Sequence, residues 1–207
     1  MLCCAPEFRS LLEDFNPAAL EHHAGSIMGL WPDNTLAYMN PAWFLFSQDN
    51  GGEPDVSMRW ELGASISSAI GRVLLPFYMI VFAECRRAGR PWEHAYECSS
   101  PEMFRQFHMR VLPLSRNGEL LIVNSLHVER PHDPSNVSPD CEESAYRDER
   151  NQLRNCVNCR RFRHAVDQDR WDWIPAWIEH PREQVFDALC PICADYYLSG
   201  DRQPPRS

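Results

Sequence analysis

Three consecutive runs rich in strand-forming residues stand at Trp92–Cys98, Met103–Leu114 and Glu119–Val128. Turn residues separate the three runs: Ser99-Ser100-Pro101, then Ser115-Arg116-Asn117-Gly118. Bounded by turns, the runs read as β-strands, and successive side chains leave opposite faces of an extended chain. Asn117-Gly118 between two such runs predicts a hairpin, since both residues tolerate positive φ. On the second strand Phe107, Met109 and Val111 share a face, and Ile122 and Leu126 are their expected matches on the third. His94, Tyr96 and Cys98 share a face of the first. A meander this apolar needs a cover, and the preceding ninety residues must supply it.

Upstream the pattern changes. Phe8, Leu11, Leu12 and Phe15 recur at helical spacing, with Pro17 interrupting before Ala18–His23. This lead-in is amphipathic and must pack on a sheet or on a partner. Ser26–Trp31 and Thr35–Met39 flank Pro32-Asp33-Asn34 as a second hairpin-like pair. Asn40-Pro41 opens a short helix, with proline at the first turn where its missing N–H costs nothing. Gln48–Pro54 reads as a loop, and Leu62–Ile70 as a short helix. Val73–Ala88 is a longer helix closed by Arg86, Arg87 and Gly89. The order predicts an α+β domain: a five-stranded antiparallel sheet with helices on one face, over residues 24–130.

After Val128 the pattern thins. Pro131–Pro139 interleaves prolines with polar residues and reads as a linker, and Glu142–Arg154 reads as an exposed charged helix with Glu143 and Arg147 at i,i+4. Four segments follow: a flanking helix over 1–23, the sheet domain over 24–130, a linker and charged helix over 131–154, and a small cysteine module over 155–198.

The 207 residues are 44% hydrophobic, enough for one medium domain or two small ones. The greasiest segment, Leu74–Phe82, is far shorter than the roughly 18 apolar residues of a membrane helix. The first residues lack a basic stretch followed by an apolar one, so the expectation is a cytoplasmic protein with no membrane contact. A net charge of −9 argues against nucleic acid as a general partner.

Nine cysteines without a secretion signal do not read as a disulfide framework. Cys156-Val157-Asn158-Cys159 and Cys190-Pro191-Ile192-Cys193 form two Cys-x-x-Cys knuckles thirty residues apart. Each presents two thiolates on one side of a tight turn, and two knuckles complete a tetrahedral Cys4 site for zinc. Trp171, Trp173, Ile174, Trp177 and Ile178 lie between them. About fifty residues bury little surface alone, so a structural metal would supply the missing stability. A redox pair of disulfides and an iron–sulfur cluster are the alternatives. His164 and His180 read as surface residues. Catalytic zinc keeps an open position, which four cysteines leave no room for, so no catalytic residue and no enzyme is expected. The alternatives in other classes are a redox or metal-dependent enzyme, and DNA binding through Arg160, Arg161 and Arg163.

Several segments resemble a known family. Leu36–Trp43 (LAYMNPAW) looks like the "ILYVNPAW" signature of PAS domains, a sensory fold. Tyr96–Pro101 (YECSSP) is similar to "Y-x-C-H-S-P" in many bacterial PAS domains, and Arg105–Leu114 to the "R-W-F-L-M-R-V-T-P-L" that follows it. Ser125–Arg130 resembles the usual exit from the last strand. The tail resembles a module of bacterial response regulators and PAS proteins, "C-x-x-C-K-K-I-R … W … F-S-H-G-I-C-P-x-C", except that Asp187 and Ala188 replace the family's His and Gly. The resemblance implies a stand-alone sensory or adaptor protein that acts by ligand sensing and by association with a signalling partner or as a homodimer. It implies a small-molecule pocket that His94, Tyr96, Cys98, Phe107 and Met109 would line, the alternative being that Tyr96–Pro101 is a structural turn. Haem is not expected, because Val73–Ala88 carries no histidine, and the cysteine-bearing helix of flavin photosensors is absent.

Overall fold

A computed structural model of the chain describes residues 3–115, 117–138 and 141–199. Arg116 of the hairpin turn, Pro139 of the linker, and Met1 and Leu2 of the flanking segment lie outside the described residues. The elements are β1 (Cys3–Cys4), α1 (Pro6–Arg9), α2 (Pro17–Glu21), β2 (Ile27–Leu30), β3 (Leu36–Met39), α3 (Pro41–Asp49), α4 (Asp55–Arg59) and α5 (Leu75–Ala88). There follow β4 (Trp92–Glu97), β5 (Met103–Pro113), β6 (Leu120–Pro131), β7 (Leu153–Cys156), β8 (Phe162–Arg163), β9 (Trp171–Asp172), α6 (Pro175–Glu179), β10 (Val185–Ala188) and α7 (Pro191–Leu198). Among the described residues no helix is long and apolar enough to cross a membrane.

The α+β class stands, with an antiparallel sheet and helices. Strand order in the larger sheet is β1-β3-β2-β6-β5-β4. That is the five-stranded sheet expected from the sequence with one strand added. β1 pairs antiparallel with β3 through Cys3↔Met39 and Cys4↔Tyr38. Two residues carry no periodicity, which is why this edge escapes a pattern reading. A second sheet, β10-β7-β8-β9, lies wholly in the C-terminal part of the chain.

The chain divides into two compact units. One comprises Met1–Ile70, Tyr78–Ala95 and His108–Leu126; the other comprises Gly71–Phe77, Tyr96–Phe107 and the chain from His127 onward. The boundary expected at residue 130 therefore does not follow this division, because the Tyr96–Phe107 segment of the meander belongs with the C-terminal part.

In the first unit, β2 and β3 are buried along their whole lengths, so both faces of the sheet are covered there. The lead-in segment covers one of them. It is not one helix but α1, a 3₁₀ turn (Ser10–Leu12) and α2, with Asn16 capping α2 through Ala18 N–H at 3.0 Å. Phe8, Leu12 and Leu20 share a core with Ile27, Ala37, Tyr38 and Leu121, and Leu11 and Phe15 pack against it. The apolar stripe is thus satisfied within its own unit. Gly29 permits this: a Cβ there would stand 2.3 Å from the Phe8 ring. Arg86 at the end of α5 donates to Gly118 O at 2.7 Å, Trp31 O at 3.2 Å and Asn34 Oδ1 at 2.9 Å, tying both hairpin turns to the helix.

Phe107, Val111 and Ile122 are buried as the alternation predicts, but Leu126 is 47% exposed, because the last half of β6 turns its side chains to solvent. The second unit corrects two further expectations. Glu142–Arg154 is not a helix: a 3₁₀ turn (Glu143–Ala145) gives way to a loop and then to β7. Asp148 Oδ1 accepts the N–H groups of Arg150 and Gln152 at 2.9 and 3.0 Å, capturing backbone donors a helix would need, and Asn151 takes positive φ. Over the described residues 131–138 the expected linker is tied down at two points. His132 stacks on Trp173 at 4.5 Å and bonds Ser100 O, and Val137 bridges to Trp173. Tyr146, Leu153, Phe162, Ile174 and Trp177 form the core of this unit.

Candidate metal centre

Two local folds present the knuckles. The first is a hairpin: β7 ends at Cys156, the chain turns through Val157–Arg160, and β8 returns. Arg160 N–H closes the turn on Cys156 O at 2.8 Å with Arg160 at φ 59°, and Cys156 N–H bonds Arg161 O. The second is a helix start. Cys190 occupies the N-cap of α7, Pro191 the first helical position, and Cys193 the first turn. A helix N-terminus carries partial positive charge, which favours thiolates placed there.

Convergence comes from a parallel pairing. β10 lies beside β7 in register from Val185↔Leu153 to Ala188↔Cys156, so the chain leaves β10 next to Cys156 and reaches Cys190 two residues later. Val157 N–H bonds Ala188 O at 3.0 Å and carries the pairing past the strand end. The outcome is that Cys156, Cys159, Cys190 and Cys193 are all buried, with their sulfurs within 4.8 Å of one another. Cys159 Sγ and Cys190 Sγ stand 3.7 Å apart. A tetrahedron with metal–sulfur bonds of about 2.3 Å has edges of about 3.8 Å, so the donor set fits a single tetrahedral ion. All nine cysteines are free thiols. Hydrogen bonds from Cys159, Cys190 and Cys193 hold the Cys156 thiol far below its ordinary range, while the same cluster pushes Cys159 up by bonding to Cys156. A bound cation would replace the protons shared in this cluster.

A ring of polar groups within the same unit surrounds the sulfurs. Asn158 Nδ2 donates to Cys193 Sγ at 3.2 Å, and its Oδ1 accepts from Tyr197 O–H at 2.8 Å and Glu97 N–H at 3.4 Å. Arg161 pairs with Glu97 at 3.6 Å, and its charge interacts with Cys159. Arg160 Nη1 donates to Ser99 O at 3.1 Å. Burial raises the Glu97 carboxyl, with Arg161 opposing it. Sequence reasoning found the four cysteines but not Asn158, Glu97 or Tyr197, which no spacing marks. Outer-sphere partners orient metal ligands, and losing one typically weakens affinity 10–100-fold. Asn158→Ala is therefore expected to lose metal to a competing chelator at about tenfold lower chelator concentration, read by a chromogenic metal indicator.

The five residues expected to line a small-molecule pocket divide between the units. In the first, His94 is buried and stacks on Trp92 at 5.0 Å, and Met109 is half-buried. In the second, Tyr96 stacks on Phe107 at 5.6 Å, and burial raises the half-buried Cys98 thiol.

No family model matches the chain, and no curated protein matches it. Among solved structures it is similar to the phage VqmA-DPO complex (12% identity, TM-score 0.41), covering 58% of this chain and 52% of that one. It is similar to a PAS domain from a two-component sensor histidine kinase (11% identity, TM-score 0.37; 57% of this chain, 99% of that one). The PAS domain of an HTR-like protein from Haloarcula marismortui is a third (18% identity, TM-score 0.34; 58% and 98%). The chain spans about half the length of the first of these. Likenesses at these scores assign no activity.

Proposed function

We propose that the chain is a sensory or adaptor protein of signal transduction, acting by ligand-dependent association and carrying a structural zinc ion on Cys156, Cys159, Cys190 and Cys193. One observation carries this reading. Glu97, whose N–H bonds the Asn158 side chain that also meets Cys193 Sγ and whose carboxylate pairs with Arg161, belongs to the Tyr96–Pro101 segment that resembles a PAS motif. A change at that segment would be felt at the metal site, and the reverse. Four thiolates fill every position of a tetrahedral ion and leave none for substrate or water, which supports a structural ion and no turnover. Zinc suits a closed, redox-silent thiolate site. The reading of Arg160 and Arg161 as nucleic-acid contacts loses support, since both are engaged internally, with Ser99 and Glu97.

Native mass spectrometry of the full chain tests this directly. The expected spectrum shows one zinc per chain, together with either a discrete added small-molecule mass or a dimer. A zinc-free monomer with no added mass at high micromolar concentration would overturn the reading.

A further inference from the structure

A cavity of about 720 Å³ opens in the second unit, between the Arg147–Arg154 loop and the chain that leaves β8. Its size falls within the roughly 300–1,000 Å³ of small-molecule sites. Its wall is unusual for a chain of net charge −9: Arg147, Arg150, Arg154 and Arg163 line it with only Asp148 and Glu149 as counter-charges.

The four guanidiniums are not equivalent. Arg147 is anchored on Glu143 and on Asn151 O, so its planar fork is held in place. Arg154 lies over the Phe186 ring at 5.5 Å, bonds Gln152 Oε1 at 3.1 Å, and stands 3.6 Å from Asp148. The Asp148 carboxyl is held below the usual carboxylate range, first by the Gln152 and Arg150 N–H groups and then by Arg154 and Arg163, so it stays charged inside the wall. Arg150 and Arg163 form no ion pair with any carboxylate among the described residues. Two anchored and two uncommitted guanidiniums thus share one cavity. The lining is otherwise small, with Ala165 and Val166 as its apolar members, and it offers no aromatic face for a base or ring to stack on.

We propose that this cavity binds a phosphate monoester of a small polar molecule. Such a group carries about −1.5 to −2 charges at neutral pH and three strong acceptor oxygens. Four arginines against Asp148 and Glu149 leave the lining a net charge of +2, which matches that charge, and the planar fork of arginine matches phosphate geometry in a bidentate way that a point charge does not. The absence of an aromatic wall favours a polar body, such as a polyol, over a nucleobase.

Isothermal titration calorimetry of the full chain with glycerol 3-phosphate at low salt tests the site. Saturable one-to-one binding with Kd below about 1 mM is expected. Arg150→Gln and Arg163→Gln should each weaken it about tenfold, as loss of a charge-assisted bond does. Arg87→Gln, which removes only an exposed pair with Glu84 in the other unit, should leave it unchanged. Inorganic phosphate binding as tightly as the ester would show that the phosphate group alone is read, which supports the site. Three results overturn it: no saturable binding up to about 10 mM, equal weakening in Arg87→Gln, or binding of a hexaglutamate peptide without binding of the ester. Thermal melts of the variants check folding. Because Arg150 is exposed and Arg163 half-buried without ion pairs, both should melt as the parent does.

Discussion

Replacing Cys190 with serine is expected to abolish stoichiometric metal binding and to lower the melting temperature by more than about 10 °C. The size of the effect follows from what else holds the second unit. Among the described residues one core cluster of this unit has five members, and β8 and β9 are two residues each. Structural zinc in peptides of comparable architecture contributes an apparent 10–16 kcal/mol or so, which exceeds the whole stability of many domains. Cys190 also sits at the N-cap of α7, so its displacement loosens the helix start as well as the ion. A chelator should reproduce the loss in the parent chain, and added zinc should restore it, which separates metal loss from a substitution defect. Elemental analysis decides the matter. A Cys190→Ser chain that retains one metal ion, or a parent whose melting is indifferent to chelator, would sink the assignment. The same treatment of Cys98→Ser should leave the metal content unchanged, because that thiol lies outside the cluster.

The knuckles were legible because their chemistry is local: two cysteines three apart on a tight turn declare themselves in four residues. What joins them was not. The parallel pairing of β10 with β7 links residues about thirty apart, and neither strand alternates clearly enough to announce a partner. The same limit explains the basic run at Arg160–Arg163. Read along the chain it looks like a charged surface, yet Glu97 and Ser99, some sixty residues earlier, engage its first two members. The charged segment 142–154 misleads in a different way. Glu143 and Arg147 do pair as an i,i+4 spacing predicts, but the pair closes on a turn, because the Asp148 side chain takes the donors that would extend a helix. The first-unit hairpin, α5 and the meander were all readable, since local turn and cap residues (Pro32-Asp33-Asn34, Gly89, Asn117-Gly118) bound each apolar run. β1 is too short to have a period at all.

Asn40→Ala is expected to cost about 4 kcal/mol of stability, well above the roughly 1 kcal/mol of an ordinary helix cap. Asn40 is fully buried, and every hydrogen-bonding capacity of its side chain is used. Oδ1 accepts from Ile27 N–H at 2.8 Å and from Trp43 N–H at 3.3 Å, while Nδ2 donates to Gly25 O at 3.0 Å and Leu20 O at 3.3 Å. One side chain therefore caps α3, fixes the entry into β2 and receives the end of α2. Alanine would leave up to three backbone groups, Ile27 N–H, Gly25 O and Leu20 O, without these partners where water does not reach, because Trp43 N–H keeps Asn40 O; each such group costs about 1–3 kcal/mol. Relaxation at the surface end of α2 would recover part of this, which sets the estimate toward the lower end of the roughly 3–9 kcal/mol that those groups could cost. The Asn-Pro pair thus has a physical reason beyond its likeness to a signature: the proline starts the helix, and the asparagine holds three elements to it. Urea unfolding of the full chain would measure the loss as a fall in midpoint at unchanged slope. A change of only about 1 kcal/mol would mean that the cap alone matters and that the buried links to Gly25 and Leu20 contribute nothing.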